Sequence, residues 1–405
     1  MILKLAWRNL WRNKKRSIIT ISSIAIAVFL AVFMRSMQLG MYANMIKNVV
    51  GSYSGYVQVH HKGFWDEQNL DNSLELTDEL ITQVKSVKGV KNVIPRLQTF
   101  SLASSNKLSK GVFIQGVEMD KEKLLYNWNN RLLNGRLFSE NENSIILAKG
   151  LAKYFKKSIG DTLVFIGQGY HGMSATGKYA ICGIVDMKNP KLNELSVFMP
   201  LNITQEYLSA PNRITNLVVD KSENIETEEL EQLLINKLDK EQFEVMSWKT
   251  MLPELEQTIV ADSVGGLLMV FILYMIITFG IFGTVLMMTQ ERIYELGVMV
   301  SIGMKKLKLV IMLIVETLIL SLVGVITGAV LVAPFVFYFH ENPISLAGDQ
   351  AAVMENFGFE STVPLLTDFD IPLTHGLIIF FISLVITIYP TITILKLNPV
   401  KAMKR

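Results

Sequence analysis

Four stretches of this chain are nearly free of charge, and each is long enough to cross a bilayer. Residues 17–34 and 263–290 carry no charged side chain. Residues 309–339 are interrupted only by Glu316, and residues 373–395 form a fourth apolar run. A hydrocarbon core of about 30 Å needs roughly 20 helical residues. A buried helix of a soluble protein carries a polar face, and these runs lack one. The pattern therefore predicts an α-helical membrane protein with four transmembrane helices. Half of the 405 residues are hydrophobic, which excludes disorder. The single cysteine, Cys182, excludes an internal disulfide. A formal charge of +3 gives no case for a nucleic-acid partner.

The flanks set an orientation. Residues 1–16 carry six basic and no acidic side chains, 290–308 carry four basic and two acidic, and 396–405 carry four basic and none acidic. Residues 340–372 carry no Lys or Arg but hold Glu341, Asp349, Glu355, Glu360, Asp368 and Asp370. The positive-inside rule places both termini and the 290–308 loop in the cytoplasm, and 340–372 outside. The small total charge thus divides into +12 on the cytoplasmic segments and −9 on the rest of the chain. In residues 1–16, Leu3, Ala6, Trp7, Leu10 and Trp11 share one helical face, and Lys4, Arg8, Arg12 and Lys15 another. That is an interfacial amphipathic helix with aromatic anchors, a retained elbow rather than a cleaved signal peptide.

The expected organisation follows. It comprises the elbow (1–16), a first span (17–40), an extracytoplasmic domain (41–261), a second span (262–290) and a cytoplasmic helix and loop (291–308). A third span (309–339), an outside loop (340–372), a fourth span (373–395) and a cytoplasmic tail (396–405) complete it. The large domain reads as α+β in two lobes. Runs 56–60, 110–117, 161–166, 179–185 and 213–219 have strand character, while 77–87 and 227–238 have helical spacing. Asn224 and Glu226 are the expected cap and first-turn residues of the latter helix.

Several motifs are declined. Residues 167–172 fit G-x-G-x-x-G, but strand character follows where a phosphate-binding helix is required. They read as a hairpin turn. Met173 stands where a P-loop needs Lys, and no intact Walker A occurs, so no nucleotide hydrolysis is expected in this chain. The histidines at 60, 61, 171, 340 and 375 lack metal spacing and read as surface polar residues; no metal site is expected.

Charges beside the spans are more informative, because a charge at the bilayer centre is costly. Arg35 and Asp262, at the outer ends of the first and second spans, form a candidate ion pair. Glu316 sits two turns into the third span, facing protein or a wet cavity. Gly324 and Gly328, with Gly280 and Gly283, permit close helix approach. Pro390 is placed to bend the fourth span.

The loop after the second span reads as a short helix with a charged start, an apolar middle and a stop at Gly303. Here the sequence resembles the FtsX/MacB-type ABC transporter permeases. The carriers are E-R-x-x-E-L-G-x-x-x-S-I-G over 291–303, the basic residues after it, and the span containing Val315-Glu316-Thr317. The elbow Ala6-Trp7-Arg8-Asn9-Leu10 and the ending Leu397-Asn398-Pro399-Val400-Lys401-Ala402 agree, as does the order of one span, a large domain, then three spans.

The resemblance implies a coupling helix that docks on a separate cytoplasmic ABC ATPase dimer, through Glu291, Arg292, Glu295, Gly297, Ser301, Gly303 and Lys305. It implies ATP and Mg on that partner, no cofactor on this chain, and a second permease subunit, identical or homologous. The large domain would be a MacB-like periplasmic core, in a bacterial inner membrane. Sixteen residues precede the first span, so the ATPase is expected on another chain. In layout the sequence is similar to the lipoprotein-releasing Lol-type permeases. These extract lipidated proteins from the outer leaflet and pass them to a periplasmic carrier. Phe29, Val32, Phe33, Met37, Leu267 and Phe271 are then candidates for substrate entry from the lipid. Two alternatives stay open: export of drugs or peptides with a periplasmic adaptor, and FtsX-like regulation of cell-wall hydrolases.

Overall fold

The computed structural model describes residues 7–8, 10–12, 14–50, 54–125, 127–187, 189–349, 351, 354 and 361–399. Leu3, Lys4, Ala6 and Asn9 of the elbow, Val400, Lys401 and Ala402 of the ending, and Glu355 and Glu360 lie outside them. The chain divides into two compact units. One comprises Met1–Ala43, Thr258–Ser345 and Thr362–Arg405, and the other Asn44–Gln257 with Leu346–Ser361.

The first unit is a helix bundle. Four helices are long and apolar enough to cross a membrane. The first span is Lys14–Val49, the second Pro253–Glu291 and the third Lys306–Glu341. Each helix continues past its apolar run, since helix propagation needs no apolar side chain. The fourth span is two helices, Asp370–Ile386 and Ile388–Leu395, broken at Thr387. Pro390 explains the break: its ring clashes with the carbonyl four residues earlier, at Ile386.

The first and third spans approach closely at Gly324 and Gly328. A Cβ on Gly324 would lie 2.7 Å from the Ile24 side chain, and one on Gly328 2.6 Å from the Ala25 carbonyl oxygen. Gly280 and Gly283 on the second span have open space around them. Ile24, Val28, Ile281, Val332, Leu365 and Ile379 are among the buried residues that fill the bundle centre. In the elbow, Leu10 packs with Met288 and Leu320, while Trp7 and Trp11 stay exposed as interfacial anchors do.

The second unit is α+β, built on one ten-stranded sheet. Its strands are β1 (Val57–His61), β3 (Val90–Ser105), β4 (Leu108–Val117), β5 (Leu132–Gly135) and β6 (Ser144–Ala148). They continue with β7 (Thr162–Gln168), β8 (Ser174–Val185), β9 (Ser196–Pro200), β11 (Asn216–Lys221) and β12 (Phe243–Ser247). Two short strands, β2 (Leu74–Glu75) and β10 (Arg213–Ile214), pair separately. The sheet order is β12-β1-β11-β3-β4-β9-β6-β8-β5, with β7 bridging β3 and β8. The pairings are antiparallel except β4 with β9 and β6 with β8.

The helix Asp78–Lys85 is capped by Thr77, whose Oγ1 accepts from the Leu80 N–H at 3.2 Å. The helix Thr227–Lys237 starts after Glu226, whose side chain makes no cap bond. One apolar core includes Val59, Leu97, Ile114, Phe165, Leu217 and Leu234; a smaller one gathers Trp128, Phe138, Ile146, Met187 and Phe198. Residues 167–172 end β7 and turn toward β8: Gly167 and Gln168 still pair with β8, and His171 and Gly172 take positive φ in the turn. They are a hairpin tip, as expected.

Two histidine expectations are corrected. His60 is 1% exposed, because β1 lies between β11 and β12 and is buried on both faces. Its ring stacks on Phe64, and burial pushes its pKa down to about 4. His375 is buried in the bundle and hydrogen-bonded to the Tyr274 hydroxyl.

Candidate functional site

The loop helix is Ile293–Ser301. It follows the second span after one non-helical residue, Arg292. Its apolar side packs inward: Leu296 is 1% exposed, among Leu309, Val310, Met312, Ile394 and Leu397. A helix with a strong apolar stripe must bury it, and here the loop-side ends of the third and fourth spans supply the cover. Gly303, at φ +100°, ends the element; a side chain there would be strained.

Arg292 and Glu316 form the centre of this site. Nη1 of Arg292 donates to both carboxylate oxygens of Glu316, each at 2.8 Å, and the two side chains are 6% and 2% exposed. Nη2 of Arg292 is buried with no hydrogen-bond partner among the described residues. The pair ties the junction between second span and loop helix to the third span, 24 residues on. Glu316 therefore faces protein, and its partner is the arginine assigned from sequence to ATPase contact. Arg292 is not on the exposed surface.

The other sequence-assigned coupling residues divide in the same way. Glu295 is half-exposed and pairs with Arg12 of the elbow. Gly297 is buried, and its carbonyl accepts from Ser301 Oγ at 3.0 Å. Glu291, Ser301, Gly303 and Lys305 are exposed. Ile302, between two of them, is 82% exposed, the highest value among the exposed large hydrophobic side chains of the described residues. The loop thus offers a blunt tip, Ser301 to Lys305, held from behind by an ion pair and an apolar cluster. Sequence reading assigned the whole motif to the contact; the structure buries Arg292, Leu296 and Gly297 and leaves Glu291 and Ser301 to Gly303 on the surface.

At the opposite end of the bundle, the direct Arg35–Asp262 pair is absent among the described residues. Gln38 stands between them: Arg35 Nη1 donates to Gln38 Oε1 at 2.7 Å, and Gln38 Nε2 donates to the Asp262 carboxylate at 3.3 Å. Tyr42 donates its hydroxyl to the same carboxylate at 2.6 Å. A glutamine carries both a donor and an acceptor, so it links a cation to an anion without bringing them together.

The substrate-entry candidates also separate. Val32 is buried, and Phe29 and Phe33 stack on each other and meet Phe335 and Phe339 edge-on. These three are packing residues of the first and third spans. Met37, Leu267 and Phe271 are exposed. Tyr274 and His375, which tie the second span to the fourth, were not singled out from sequence; a hydroxyl and an imidazole inside apolar runs are the signal that was there.

Comparison with known proteins follows the same division of the chain. The MacB-like periplasmic core domain matches residues 17–237, and the FtsX-like permease C-terminal domain matches residues 267–399. The macrolide export ATP-binding/permease protein MacB of Aggregatibacter actinomycetemcomitans is 20% identical over 337 residues, 79% of this chain and 50% of that protein. The chain spans half the length of that curated relative. Among solved structures, the extracellular domain of the noncanonic ABC-type transporter YknZ from Gram-positive bacteria is similar at 19% identity and TM-score 0.33, over 48% of this chain and 100% of that one. The periplasmic region of MacB from Actinobacillus actinomycetemcomitans is similar at 15% identity and TM-score 0.36, over 52% of this chain and 97% of that one. With one family domain over more than half of its length and the other over its last three spans, the chain belongs to the FtsX/MacB-type ABC transporter permeases.

Proposed function

We propose that this permease couples ATP hydrolysis on a separate ABC ATPase to movement of its α/β unit, and that it extracts lipid-anchored proteins from the membrane for release. Under this reading both termini and the loop helix are cytoplasmic, two permease chains pair over an ATPase dimer that holds ATP and Mg, and a periplasmic carrier receives the substrate. The observation that carries the coupling half is the loop tip. Ser301, Ile302, Gly303 and Lys305 are exposed, while Arg292 behind them is locked to Glu316 inside the bundle. A contact surface backed by a buried ion pair transmits a push instead of yielding to it. The extraction half draws support from Leu267 and Phe271, exposed on a second span most of whose surface is unburied.

Ile302→Glu with Lys305→Glu is expected to abolish co-purification of the ATPase while membrane insertion persists; full retention of the ATPase would refute the docking assignment. Depletion of the protein is expected to leave lipoproteins in the inner membrane. Export of drugs or peptides is the second reading, favoured by the likeness to a macrolide export protein. Normal lipoprotein sorting combined with drug sensitivity would decide for it.

A further inference from the structure

A groove of about 730 Å³ opens on the surface of the bundle between the third and fourth spans, floored by Val32 and Ser36 of the first. Its position is independent of the exposed residues invoked above for substrate entry. On the third span its lining runs from Leu322 to Phe337 along one helical stripe, with Ala329 and Ala333 at the middle. Leu373, Leu377 and Phe380 repeat at three- and four-residue spacing along the facing side of the fourth. Alanine at 329 and 333 leaves the space between these stripes empty of side chains. Fifteen helical rises of 1.5 Å make the groove roughly 22 Å long, more than one leaflet's share of a core about 30 Å thick. The wall is almost wholly apolar; polar groups gather at the end where Thr367 and Asp368 line the mouth.

The shape and chemistry select one occupant. A long, narrow, apolar trough open to hydrocarbon takes an extended chain, not a compact solute. Its single charged lining group is the exposed carboxylate of Asp368, whose Oδ1 accepts from the Asp370 N–H at 3.0 Å. Residues 340–372 contain no Lys or Arg, and Arg35, next to Ser36 in sequence, is engaged with Gln38 and does not line the groove. An anionic headgroup would meet the Asp368 carboxylate, and the lining offers it no cation. A helix of a second copy would have to desolvate the exposed Asp368 carboxylate.

We propose that the groove holds an acyl chain of a bilayer phospholipid whose headgroup bears a primary ammonium, with the ammonium seated on Asp368. The lipid belongs to the leaflet on the side of the 340–372 segment and fills the space between third and fourth spans.

The test uses the full chain, stripped of lipid and reconstituted with equimolar dioleoyl phosphatidylethanolamine and dioleoyl phosphatidylglycerol. Lipid retained after mild extraction is counted by native mass spectrometry. The wild type is expected to retain phosphatidylethanolamine in about threefold excess, the scale of one interfacial ion pair. Asp368→Asn keeps an oxygen to accept from Asp370 and removes the charge; the excess is expected to vanish. Ala329→Phe fills the trough, and retention of both lipids is expected to fall roughly tenfold. Equal retention of the two lipids by the wild type, or an excess that survives Asp368→Asn, would overturn the headgroup assignment. Unchanged retention by folded Ala329→Phe, or a groove protected by a second chain with no lipid bound, would overturn the site. If Ala329→Phe does not fold, the Asp368→Asn comparison decides alone.

Discussion

The Arg292–Glu316 pair supports a prediction in which the two partners are not equivalent. Removing one member of a buried ion pair costs about 3–5 kcal/mol, because the other charge is left without compensation. The two orphans differ. A carboxylate can take up a proton and become neutral, whereas a guanidinium stays charged. Glu316→Leu strands Arg292 as a cation 5% exposed; Arg292→Met strands a group that can neutralise itself. Glu316→Leu is therefore expected to reach the full 3–5 kcal/mol and Arg292→Met about half of it. The geometry also bounds what the pair contributes. One nitrogen, Nη1, serves both oxygens, and Nη2 is buried without a partner among the described residues. An orphaned buried donor costs about 1–3 kcal/mol. The double variant Arg292→Met, Glu316→Leu removes that orphan along with both charges and is expected to unfold within about 1 kcal/mol of the wild type.

The measurement is thermal unfolding of the four proteins in one detergent at one scan rate. For a unit of the bundle's size, 1 kcal/mol corresponds to about 2–4 °C, so Glu316→Leu is expected to lose on the order of 10 °C and the double variant only a few degrees. Three results would refute the reasoning: Arg292→Met as damaging as Glu316→Leu, a double variant no better than the worse single, or both singles within about 1 °C of wild type. The same double variant separates stability from coupling. If the ion pair matters only for folding, ATPase stimulation recovers with the melting temperature. If it holds the loop tip in place, stimulation stays low.

Three further outcomes follow from packing and charge. Gly328→Leu drives a side chain into the Ala25 backbone and is expected to destabilise the bundle by about 1–3 kcal/mol or more, whereas Gly280→Leu, facing open space, leaves its melting temperature nearly unchanged; equal losses in detergent would contradict the packing. His60 has a depressed folded-state pKa of about 4 against about 6.5 unfolded, so its contribution is present above pH 6.5 and is lost as pH falls toward 4. Chemical denaturation of the full chain is expected to show the α/β unit roughly 2 kcal/mol weaker at pH 5 than at pH 7, with His60→Phe flattening that slope. Arg96 and Glu122, both 1% exposed and joined at 2.6 and 3.0 Å, form a two-point fork; Glu122→Ala is expected to cost about 3–5 kcal/mol, seen as protease sensitivity of the α/β unit.

The spans were legible because a missing charge is a one-dimensional signal. The loop helix was legible because a glycine stop and a helical repeat are local, and Gly303 does take the positive φ that a stop requires. What escaped was which way membrane side chains face. Lipid tails are as apolar as a protein interior, so Val32 and Leu267 look alike in sequence although one is buried and the other exposed. Arg292 escaped because its partner lies 24 residues away on another helix. In the motif it reads as a surface charge, and only the third span's arrival beside it makes it a buried one. Gln38 escaped between Arg35 and Asp262 because a neutral amide gives no signal where two charges already suggest a pair. His60 escaped because alternation along β1 implies one wet face, and a strand inside a ten-stranded sheet covered on both faces has none.

The polar contacts of the bundle also say what fixes the position of its parts. Apolar surfaces give little reason for one helix to prefer another within lipid, so position is fixed by close packing and by the few hydrogen bonds available. The first and third spans meet at Gly324 and Gly328 with almost no clearance. The second span has little such packing. It is held near one end through Gln38, Tyr42 and Asp262, along its length by Tyr274 to His375, and at the other end by Arg292 to Glu316. The loop helix is tied by that last contact and by its apolar cluster on the third and fourth spans. Displacing the loop helix would therefore mean displacing the loop-side ends of the third and fourth spans with it. With the first and third spans packed this closely, the second span is the element whose position depends most on its few hydrogen bonds.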